Sequence, residues 1–360
     1  MWLDILIALI KAVFFLVCVL TLTSLLTWQE RKQSAVMQDR LGANRAPILG
    51  IRAFGLCHIL SDALKMFFKE DYVPPGGDKL LHTAAPFAAL FFALMSFAAI
   101  PFGDSIQIAG RRIELLVLPL NVGVLFVFAM MSMGIYGTFL AGFSSNNKYA
   151  FLGGLRASSQ MISYEITMGA TLVGLFMVFG TLDLAEINRA QGSLLWGWLP
   201  KWGIVLQPLG FLLFVTAGMA ETKRVPFDLP EGESEIVGYF VEYSSMKFGA
   251  FFMTDFVETI LIAALIATLF FGGWQVPYLQ SDGLHLPGGA FFALPHLAVV
   301  LLQMAAFAIK VVFFCWFLLL IRWTLPRFRY DQLMRLGWQF LLPISVFNIF
   351  ATALVLVIAR

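Results

Sequence analysis

The sequence predicts an all-α integral membrane protein with eight transmembrane helices and one amphipathic helix at the membrane surface. Of its 360 residues, 60% are hydrophobic and only 13% are charged, which is more apolar than the composition of soluble domains. Eight apolar stretches are long enough to cross a hydrocarbon layer of about 30 Å. Little sequence remains between them, so we expect residues 1–360 to form a single polytopic membrane domain.

The eight apolar stretches follow one another along the whole chain. Each has about 20 mainly apolar residues, the length that an α-helix needs to span a bilayer. Their approximate bounds are 4–27, 81–101, 115–140, 162–181, 202–220, 249–272, 297–321 and 338–358. The first stretch has neither a basic segment before it nor a cleavage site after it, so it is predicted to be a span and not a signal peptide.

Basic residues are distributed unequally between the two sets of connecting segments. The segments 28–79, 141–161, 221–248 and 322–337 contain 17 Lys and Arg residues, whereas the opposite loops and the C-terminus contain five. By the positive-inside rule the basic set faces the cytoplasm, and both termini face the periplasm. The sequence therefore predicts a bacterial inner (plasma) membrane protein, or a mitochondrial inner membrane protein if the gene is organellar.

Side chains that could bind a redox centre are sparse. Cys18, Cys57 and Cys315 are scattered without a CxxC pair, and the four His residues do not pair at helical spacing within a span. No GxGxxG or Walker sequence supports nucleotide binding. We therefore expect no metal, flavin or iron–sulfur cluster on this chain, and no nucleic acid partner. In electron transfer the chain would hold a diffusible carrier, and a partner would supply the electrons.

A short segment between the fifth and sixth stretches is rich in carboxylates. Only two bases, Lys223 and Arg224, accompany them. The carboxylates are Glu221, Asp228, Glu231, Glu233, Glu235 and Glu242. Mutual repulsion and the loss of solvation beside lipid favour protonation and couple the titration of such groups. The pattern is typical of a protein that takes up or passes protons, and the alternative is an acid-rich loop that stays in water. If the stretch is helical, Glu235, Tyr239 and Glu242 share one face.

Ionisable residues also occur inside the predicted spans. Glu165 lies four residues into the fourth span, where it is either an interfacial carboxylate or part of a polar path. Lys310 lies midway through the seventh span, too deep to reach the surface easily, so we expect a function and a carboxylate partner on a neighbouring helix. Lys11 is close enough to the surface for a structural role. Asp255 and Glu258 are spaced i, i+3 at the start of the sixth span.

A second informative region follows the first span. Residues 54–68 repeat apolar side chains with a period close to 3.6, and the stretch is too short to cross the membrane. It is predicted to be an amphipathic helix at the interface. Such a helix either gates the lateral access of a lipid-soluble ligand or simply anchors the loop to the membrane surface.

Four motifs in the predicted cytoplasmic segments resemble those of the H subunit of the proton-pumping NADH:quinone oxidoreductase, respiratory complex I. They are E-R-K…M-Q…R-x-G-x-N at 30–44, S-D-A-L-K-x-F-x-K-E at 61–70, A-E-T-x-R-x-P-F-D-L-P-E-G-E-S-E at 220–235 and P-R-F-R-Y-D-Q-L-M at 326–334. They are spread over most of the chain. Membrane subunits of energy-converting hydrogenases share a looser version of the pattern and are the alternative.

The resemblance implies a ubiquinone channel formed with peripheral-arm subunits and coupled to proton translocation. Ubiquinone is then a substrate, the partners are the other membrane-arm and peripheral-arm subunits, including iron–sulfur and flavin subunits, and this chain alone has no catalytic residue. The implied channel residues are Arg31, Arg40, Asp62, Lys65, Arg224 and Phe227. The proton path comprises Glu165, Glu221, Asp228, Glu231, Glu233, Glu235, Glu242 and Asp255, to which the intramembrane Lys310 is added. Asp255 stands where the family usually has Glu.

Two other classes of membrane protein are considered. A secondary transporter would more often contain an inverted repeat or paired broken helices, and the sequence has neither. A structural anchor for a soluble enzyme would account for the basic cytoplasmic segments. It would not account for Lys310 or for the carboxylate cluster.

Overall fold

Long helices dominate the computed structural model, which describes residues 2–48, 50–108, 110–195, 198–230, 232, 236, 238–280, 283–285 and 291–358. The helices are α1 (Trp2–Met37), α2 (Cys57–Phe68), α3 (Lys79–Ser96), α4 (Gly123–Ser144), α5 (Lys148–Phe179), α6 (Leu184–Gln191), α7 (Gly203–Leu206), α8 (Pro208–Glu221), α9 (Ser245–Phe270), α10 (His296–Thr324), α11 (Tyr330–Arg335) and α12 (Leu342–Ile358). A π-helical turn, Leu336–Leu341, joins α11 to α12. The all-α membrane class is confirmed.

Seven helical segments of the described chain are long and apolar enough to cross a membrane. They are Asp4–Met37, Lys79–Ala99, Gly123–Ser144, Lys148–Phe179, Ser245–Phe270, His296–Thr324 and Tyr330–Ile358. The predicted fifth span, 202–220, corresponds instead to α7 and α8, and α8 has only 14 residues. Seven of the eight predicted spans therefore have a full-length counterpart, and the count of eight stays a prediction.

The interruption between α7 and α8 lies at Gln207, whose backbone is not helical (φ −137°, ψ 61°) and which precedes Pro208. Its side-chain amide donates a 2.6 Å hydrogen bond to Thr352 Oγ1, and its carbonyl oxygen accepts one of 2.9 Å from Asn348 Nδ2. Polar groups at membrane depth need such internal partners, because lipid offers none. The interrupted helix is thereby joined to α12.

Three predicted span boundaries are wrong, and the first is the end of α1, which lies at Met37 and not at 27. The chain before Gly123 forms a β-hairpin and an irregular segment that contains Pro119, so α4 begins eight residues after the predicted start at 115. In contrast, α5 begins at Lys148 and not at 162, because Asn147 caps it by accepting a 3.0 Å hydrogen bond from the backbone N–H of Tyr149. Glu165 consequently lies in the middle of a 32-residue helix.

The predicted amphipathic helix is confirmed as α2, although it begins at Cys57. Phe54 lies in a short 3-10 turn and has a left-handed φ of 53°, which prevents the α-helix from starting there. No residue of α2 is buried, and the apolar side chains of Leu60, Leu64, Phe67 and Phe68 are exposed. The helix thus presents an apolar surface beside α1 and α9.

Three small antiparallel sheets lie in the segments predicted to face the periplasm. They pair β1 (Ser105–Ile108) with β2 (Arg111–Glu114), β3 (Leu194–Leu195) with β4 (Leu199–Pro200), and β5 (Leu279–Gln280), β6 (Gly283–His285) and β7 (Phe291–Ala293) in sequence order. Arg189 of α6 joins the first hairpin through a 3.0 Å contact with Asp104. These elements lie on the side away from the carboxylate-rich segment.

Helix α9 is the most buried of the long helices. In its most apolar window 78% of the residues are buried, against 6% for α1, which lies at the periphery. Helix α9 packs against α1, α3, α8 and α10, and the ionisable residues near its middle are largely covered by the protein. Two of them, Asp255 and Glu258, form part of the candidate site.

Candidate functional site

A fully buried lysine organises the ionisable residues around the middle of α9. The Nζ atom of Lys223, which follows α8, lies 3.2 Å from Oδ1 of Asp255 and 3.4 Å from Oε2 of Glu258. It also donates a 3.5 Å hydrogen bond to the hydroxyl of Tyr239. The i, i+3 spacing of the two carboxylates places them on one face of α9, as predicted. A buried ammonium requires such partners, because without them desolvation would favour the neutral amine.

Glu221 extends this cluster toward α4 and α5. The residue is 1% exposed at the end of α8, and neither carboxylate oxygen has a hydrogen-bond partner among the described residues. The charges of Glu165 and Glu258 both act on it. A cavity of about 10 Å³ separates Glu221 from Glu258, which is near the lower limit for one water molecule. Glu165 on α5 accepts a hydrogen bond from the hydroxyl of Ser132 on α4.

A cavity of about 80 Å³ lies beside Asp255, one of the partners of Lys223. Five charged side chains and five phenylalanines line it: Glu30, Arg224, Asp228, Asp255, Arg322, Phe240, Phe248, Phe251, Phe252 and Phe256. Two arginines form ion pairs with the carboxylate of Glu30. Nη1 of Arg224 lies 3.2 Å from Oε2, and Nη1 of Arg322 lies 2.5 Å from Oε1. The guanidinium of Arg224 also lies 4.0 Å from the ring centroid of Phe256. The cavity therefore combines cations with flat apolar walls.

Asp228 is one of the charged residues that line this cavity. Its Oδ2 atom accepts a 2.8 Å hydrogen bond from Nη2 of Arg327, a residue between α10 and α11. Burial raises the pKa of Asp228 to about 6, and the nearby guanidinium of Arg327 only partly opposes this effect. The carboxyl therefore titrates much closer to neutrality than an ordinary aspartate.

The predicted quinone-channel residues are not all at this cavity. Arg224 lines it, but Phe227 is buried in the core, where its ring stacks on that of Phe328 with centroids 5.5 Å apart. The guanidinium of Arg31 lies 2.6 Å from Asp62 and joins α1 to α2.

Two further predicted channel residues lie at the surface formed by α1 and α2. Lys65 borders an open apolar groove of about 600 Å³ on α2, together with Leu60, Leu64 and Phe68. Arg40 is exposed, and its Nε atom donates a 2.7 Å hydrogen bond to Gln38 Oε1. The structure therefore divides the predicted set between the cavity, the core and the α1–α2 surface.

The acid-rich segment is only partly described. Glu231, Glu233 and Glu235 lie outside the described residues. Glu242 is half-buried and accepts a 2.7 Å hydrogen bond from Nδ2 of Asn147. Residues 239–242 form turns, so the helix on which the shared face of Tyr239 and Glu242 depended is not formed there: the turn directs Tyr239 toward Lys223 and Glu242 toward the start of α5.

The expected carboxylate partner of Lys310 is also wrong. Its Nζ atom donates hydrogen bonds to the backbone carbonyls of Phe271, Gly273 and Gln275, at 2.8, 2.9 and 2.7 Å. It lies 5.1 Å from the ring centroid of Trp202. Carbonyls at a helix C-terminus lack helical partners and form the negative end of the helix dipole, so an ammonium satisfies them without a carboxylate. Along α9 this site is roughly 20 Å from Lys223.

Lys11 has the structural role expected of it. Its ammonium donates hydrogen bonds to the backbone carbonyls of Leu116 at 2.6 Å and Glu114 at 3.3 Å, and so holds the segment that follows the first hairpin against α1.

Sequence reasoning did not single out Glu30 and Arg322 as site residues. Glu30 lies near the C-terminal end of α1, and Arg322 lies in the last turn of α10. Glu30 opens the first of the four quoted motifs, whereas the sequence signal of Arg322 is only the position of its charge at the end of an apolar stretch. Within the described ranges, no group of three or more His, Cys, Asp or Glu residues is placed to hold a metal ion.

Comparisons with known proteins match nearly the whole chain. The family model described as NADH dehydrogenase matches residues 10–353. An H subunit of the NADH-quinone oxidoreductase of Cytophaga hutchinsonii, the one numbered 1, is 42% identical over 344 residues, which cover 95% of this chain and 94% of that protein. The corresponding H subunit of Thermomicrobium roseum is 41% identical over 358 residues, with coverages of 98% and 97%.

The H subunit numbered 1 of Geobacter metallireducens is likewise 41% identical, over 357 residues that cover 99% of this chain and 98% of that protein. The matched regions extend over the helices, the buried lysine cluster and the cavity alike. The chain therefore belongs to the H-subunit family of the NADH-quinone oxidoreductases and is a membrane subunit of such an oxidoreductase complex.

Proposed function

We propose that this chain supplies the membrane part of the quinone site and passes the protons that accompany quinone reduction into the membrane. The observation that carries the proposal is the dual position of Asp255. Its carboxylate lines the cavity beside Arg224 and also pairs with the buried Lys223. One ionisable group thus belongs both to a cavity suited to a polar head group and to a buried series of acids.

The composition of the cavity supports quinone binding. A quinone has a polar head and a long isoprenoid tail, so its site needs a mainly apolar wall with a few polar groups at one end. Negative charge that develops on the head during reduction would be stabilised by the guanidinium groups of Arg224 and Arg322. At about 80 Å³ the cavity is smaller than the roughly 300 Å³ of ordinary ligand pockets. We therefore expect peripheral-arm subunits to complete the channel.

We expect a quinone from the membrane to reach the cavity along the surface of α2. Its apolar groove of about 600 Å³ lies open and is bordered by Lys65. The ion pair between Arg31 and Asp62 fixes α2 against α1 at 2.6 Å. A lipid-soluble quinone would reach the charged cavity past these residues, with Arg40 at the outer rim.

The proton path begins at Asp255 and continues through Lys223, Glu258 and Glu221. Each step joins neighbouring groups: Lys223 contacts both carboxylates of α9, and the charge of Glu258 acts on Glu221. Glu165, bound by Ser132, extends the series to α4. Asp228 and Glu242, with Glu231, Glu233 and Glu235 in the same acid-rich segment, would deliver protons from the cytoplasm. Lys310 lies at the other end of α9.

We also propose which subunits accompany the chain and in which membrane it lies. As a member of an oxidoreductase complex it has other subunits as partners. We expect iron–sulfur and flavin subunits among them, because electrons must reach the quinone and this chain is not expected to carry a redox centre. The expected location is the bacterial inner membrane with both termini in the periplasm. The relatives are named as NADH-quinone oxidoreductase subunits, which favours this function over the hydrogenase alternative.

The experiment compares two activities of the assembled complex in membranes. Arg224→Met should lower NADH:ubiquinone reductase activity at least tenfold, because the cavity loses a cation while Glu30 keeps Arg322. NADH:ferricyanide reductase activity, which reports on electron input upstream of the quinone, should be unchanged. The matched control is Arg329→Met, since Arg329 is exposed and pairs with Asp331 away from the cavity. Wild-type ubiquinone activity in an assembled Arg224→Met complex would contradict the proposal.

A further inference from the structure

An apolar groove between α1, α9 and α10 takes no part in the proposed quinone and proton routes. Its volume is about 550 Å³. Phenylalanines of α1 form one wall, and alanines of α9 and α10 leave the space; the lining includes Phe14, Phe15, Leu22, Ala264, Ala305 and Ala308. Phe14, Cys18 and Ala308 are exposed, so the groove is open on its outer side. Such a groove on a membrane-spanning chain is suited to a hydrocarbon chain.

Charged side chains line a second cavity, of about 410 Å³, beside the first turns of α1. They are three bases and two acids, namely Lys11, Arg111, Arg112, Asp4 and Glu114. The ammonium of Lys11 has three N–H donors and gives two hydrogen bonds to the backbone carbonyls of Glu114 and Leu116. The guanidinium of Arg111 lies 3.4 Å from Asp4, and both side chains are exposed. Cationic groups of this cavity are therefore accessible to an anion.

The charges of the second cavity do not cancel. Its three bases and two acids leave a net charge of +1. Arg189 lies 3.5 Å from Glu114, and Asp104 lies 3.9 Å from Arg112, so these two neighbours add one charge of each sign. A ligand with one negative charge would complement the cavity, whereas the two carboxylates would repel a second negative charge.

The two cavities follow one another along one face of α1. The α1 residues of the charged cavity are Asp4, Ile7, Ala8 and Lys11, and the groove continues the same spacing with Phe14, Phe15, Cys18, Leu22 and Leu25. Steps of three and four residues keep side chains on one face of a helix. From Phe14 to Leu25 the helix rises about 16 Å, close to half of a hydrocarbon layer of about 30 Å. The groove thus has the depth of one leaflet, and the charged cavity lies at its end.

A phospholipid has the chemistry that fits both cavities at once. Its acyl chain is about one leaflet long, and its phosphodiester carries one negative charge. Arginine binds phosphate oxygens through paired N–H groups. The carboxylates of Asp4 and Glu114 can accept hydrogen bonds from hydroxyl groups of the head. A glycerol head group offers such hydroxyls and leaves the lipid with a single negative charge, whereas a zwitterionic head would leave the excess positive charge of the cavity uncompensated.

We propose that α1, α10 and the β1–β2 hairpin form a binding site for one molecule of phosphatidylglycerol. Its phosphate binds at Arg111 and Lys11, and one acyl chain lies in the groove. The bound lipid holds α1, which is otherwise peripheral, against α10. The inference does not rest on the proposed function, because neither cavity includes a residue of the quinone or proton routes.

The test uses the assembled complex in nanodiscs of phosphatidylcholine. The probe is phosphatidylglycerol with a photoactivatable diazirine in its acyl chain, and adducts are located by mass spectrometry of peptides. Peptides covering 14–25 and 304–312 should acquire adducts that saturate at a low mole fraction of probe. The lipid-exposed part of α12, 344–358, should acquire adducts only in proportion to the probe. Excess unlabelled phosphatidylglycerol should remove the saturable adducts, and phosphatidylethanolamine should not.

Two variants with matched controls test the two ends of the site. Arg111→Gln removes a cation from the head-group cavity and should weaken probe binding about fivefold, the usual effect of one basic residue on an acidic lipid. Its ion pair with Asp4 is exposed and contributes little to folding. Lys201→Gln is the control, because Lys201 lines neither cavity. Ala308→Phe fills the groove and should remove the saturable adducts, whereas Ile309→Phe, at an exposed position outside the groove, should not.

Three results would overturn the inference. Adducts on 14–25 that rise in proportion to the probe, as on α12, would mean ordinary surrounding lipid. Equal competition by phosphatidylethanolamine would remove the basis for the choice of head group. Displacement of the probe by ubiquinone would assign the groove to an isoprenoid tail. Failure of the proposed function would look different, as wild-type ubiquinone reduction in Arg224→Met, and it would leave the lipid adducts unchanged.

Discussion

The ammonium of Lys223 is completely buried and lies 3.2 Å from the carboxylate of Asp255, which also lines the charged cavity. The pair thus lies where the cavity meets the buried acids of α8 and α9. In a buried pair each charge compensates the desolvation of the other, and removal of one partner typically costs about 3–5 kcal/mol. Lys223 retains Glu258 as a second partner, so the loss of Asp255 alone should weaken the site without unfolding the chain.

Substitution of Asp255 tests this relationship directly. Asp255→Asn removes the carboxylate at nearly constant volume and should lower quinone reduction and proton pumping together at least tenfold. Asp255→Glu, one methylene longer, can still reach Lys223 and should keep at least half of the activity. Both activities would be measured in vesicles, with the amount of assembled complex determined in parallel. Wild-type turnover in the Asn variant would exclude Asp255 from the mechanism.

Lys310 should prove to be structural. Its three hydrogen-bond donors are all used by carbonyls at the end of α9. Lys310→Met fills the same space but leaves those carbonyls unsatisfied, and we expect a loss of roughly 3 kcal/mol in stability. Thermal denaturation and the yield of purified complex would measure this loss. The number of protons pumped per NADH in the remaining complex should be normal, and a reduced ratio with normal stability would return Lys310 to the proton path.

Much of the fold follows from local features of the sequence. Apolar length predicts the long helices, and a 3.6-residue period predicts α2. The sequence did not predict where α5 begins. The part of a helix that extends beyond the lipid carries polar residues, here Lys148 and Arg156, so it is helical but lacks the apolar signal of a span. The interruption at Gln207 was missed for a related reason: an apolar stretch with one glutamine and one proline still looks continuous.

The pairings within the site were much less predictable. The i, i+3 spacing of Asp255 and Glu258 indicates a shared helix face, but nothing local joins them to Lys223. The contact between Glu30 and Arg224 joins residues 194 positions apart and depends on how α1 packs beside α9. Lys310 was assigned a carboxylate partner because backbone carbonyls carry no signal in the sequence. Only the packing of α10 against the end of α9 brings them together.

The titration of Asp228 should be visible in the stability of the protein. Burial raises its pKa to about 6, whereas the ordinary value is 3.8. Between these values the folded chain binds the proton more tightly than the unfolded chain, so this contribution to the free energy of unfolding falls as the pH rises, by roughly 3 kcal/mol at most. Asp228→Asn removes the titration. Thermal denaturation should therefore show that stability falls less between pH 5 and pH 7 in the variant than in the wild type. Equal losses of stability in the two proteins would contradict the assignment.

The last prediction concerns the two acids that the small cavity separates. Glu221 is buried without a hydrogen-bond partner in the described structure, and the charge of Glu258 acts on it. If protons pass between these two groups, either Gln substitution interrupts the same step. Glu221→Gln and Glu258→Gln should then each assemble and lose most quinone-linked proton pumping, and the double variant should be no worse than the more severe single one.

Residues that act in one step give such non-additive effects, whereas residues with independent roles give effects that multiply. Pumping in reconstituted vesicles distinguishes the two cases, and Glu186→Gln serves as the control because Glu186 lies on α6, accepts a hydrogen bond from Thr181 and lines neither cavity. A double variant that falls far below both single variants would mean that Glu221 and Glu258 belong to separate routes. The series from Asp255 through Lys223 would then have to leave α9 without passing through Glu221.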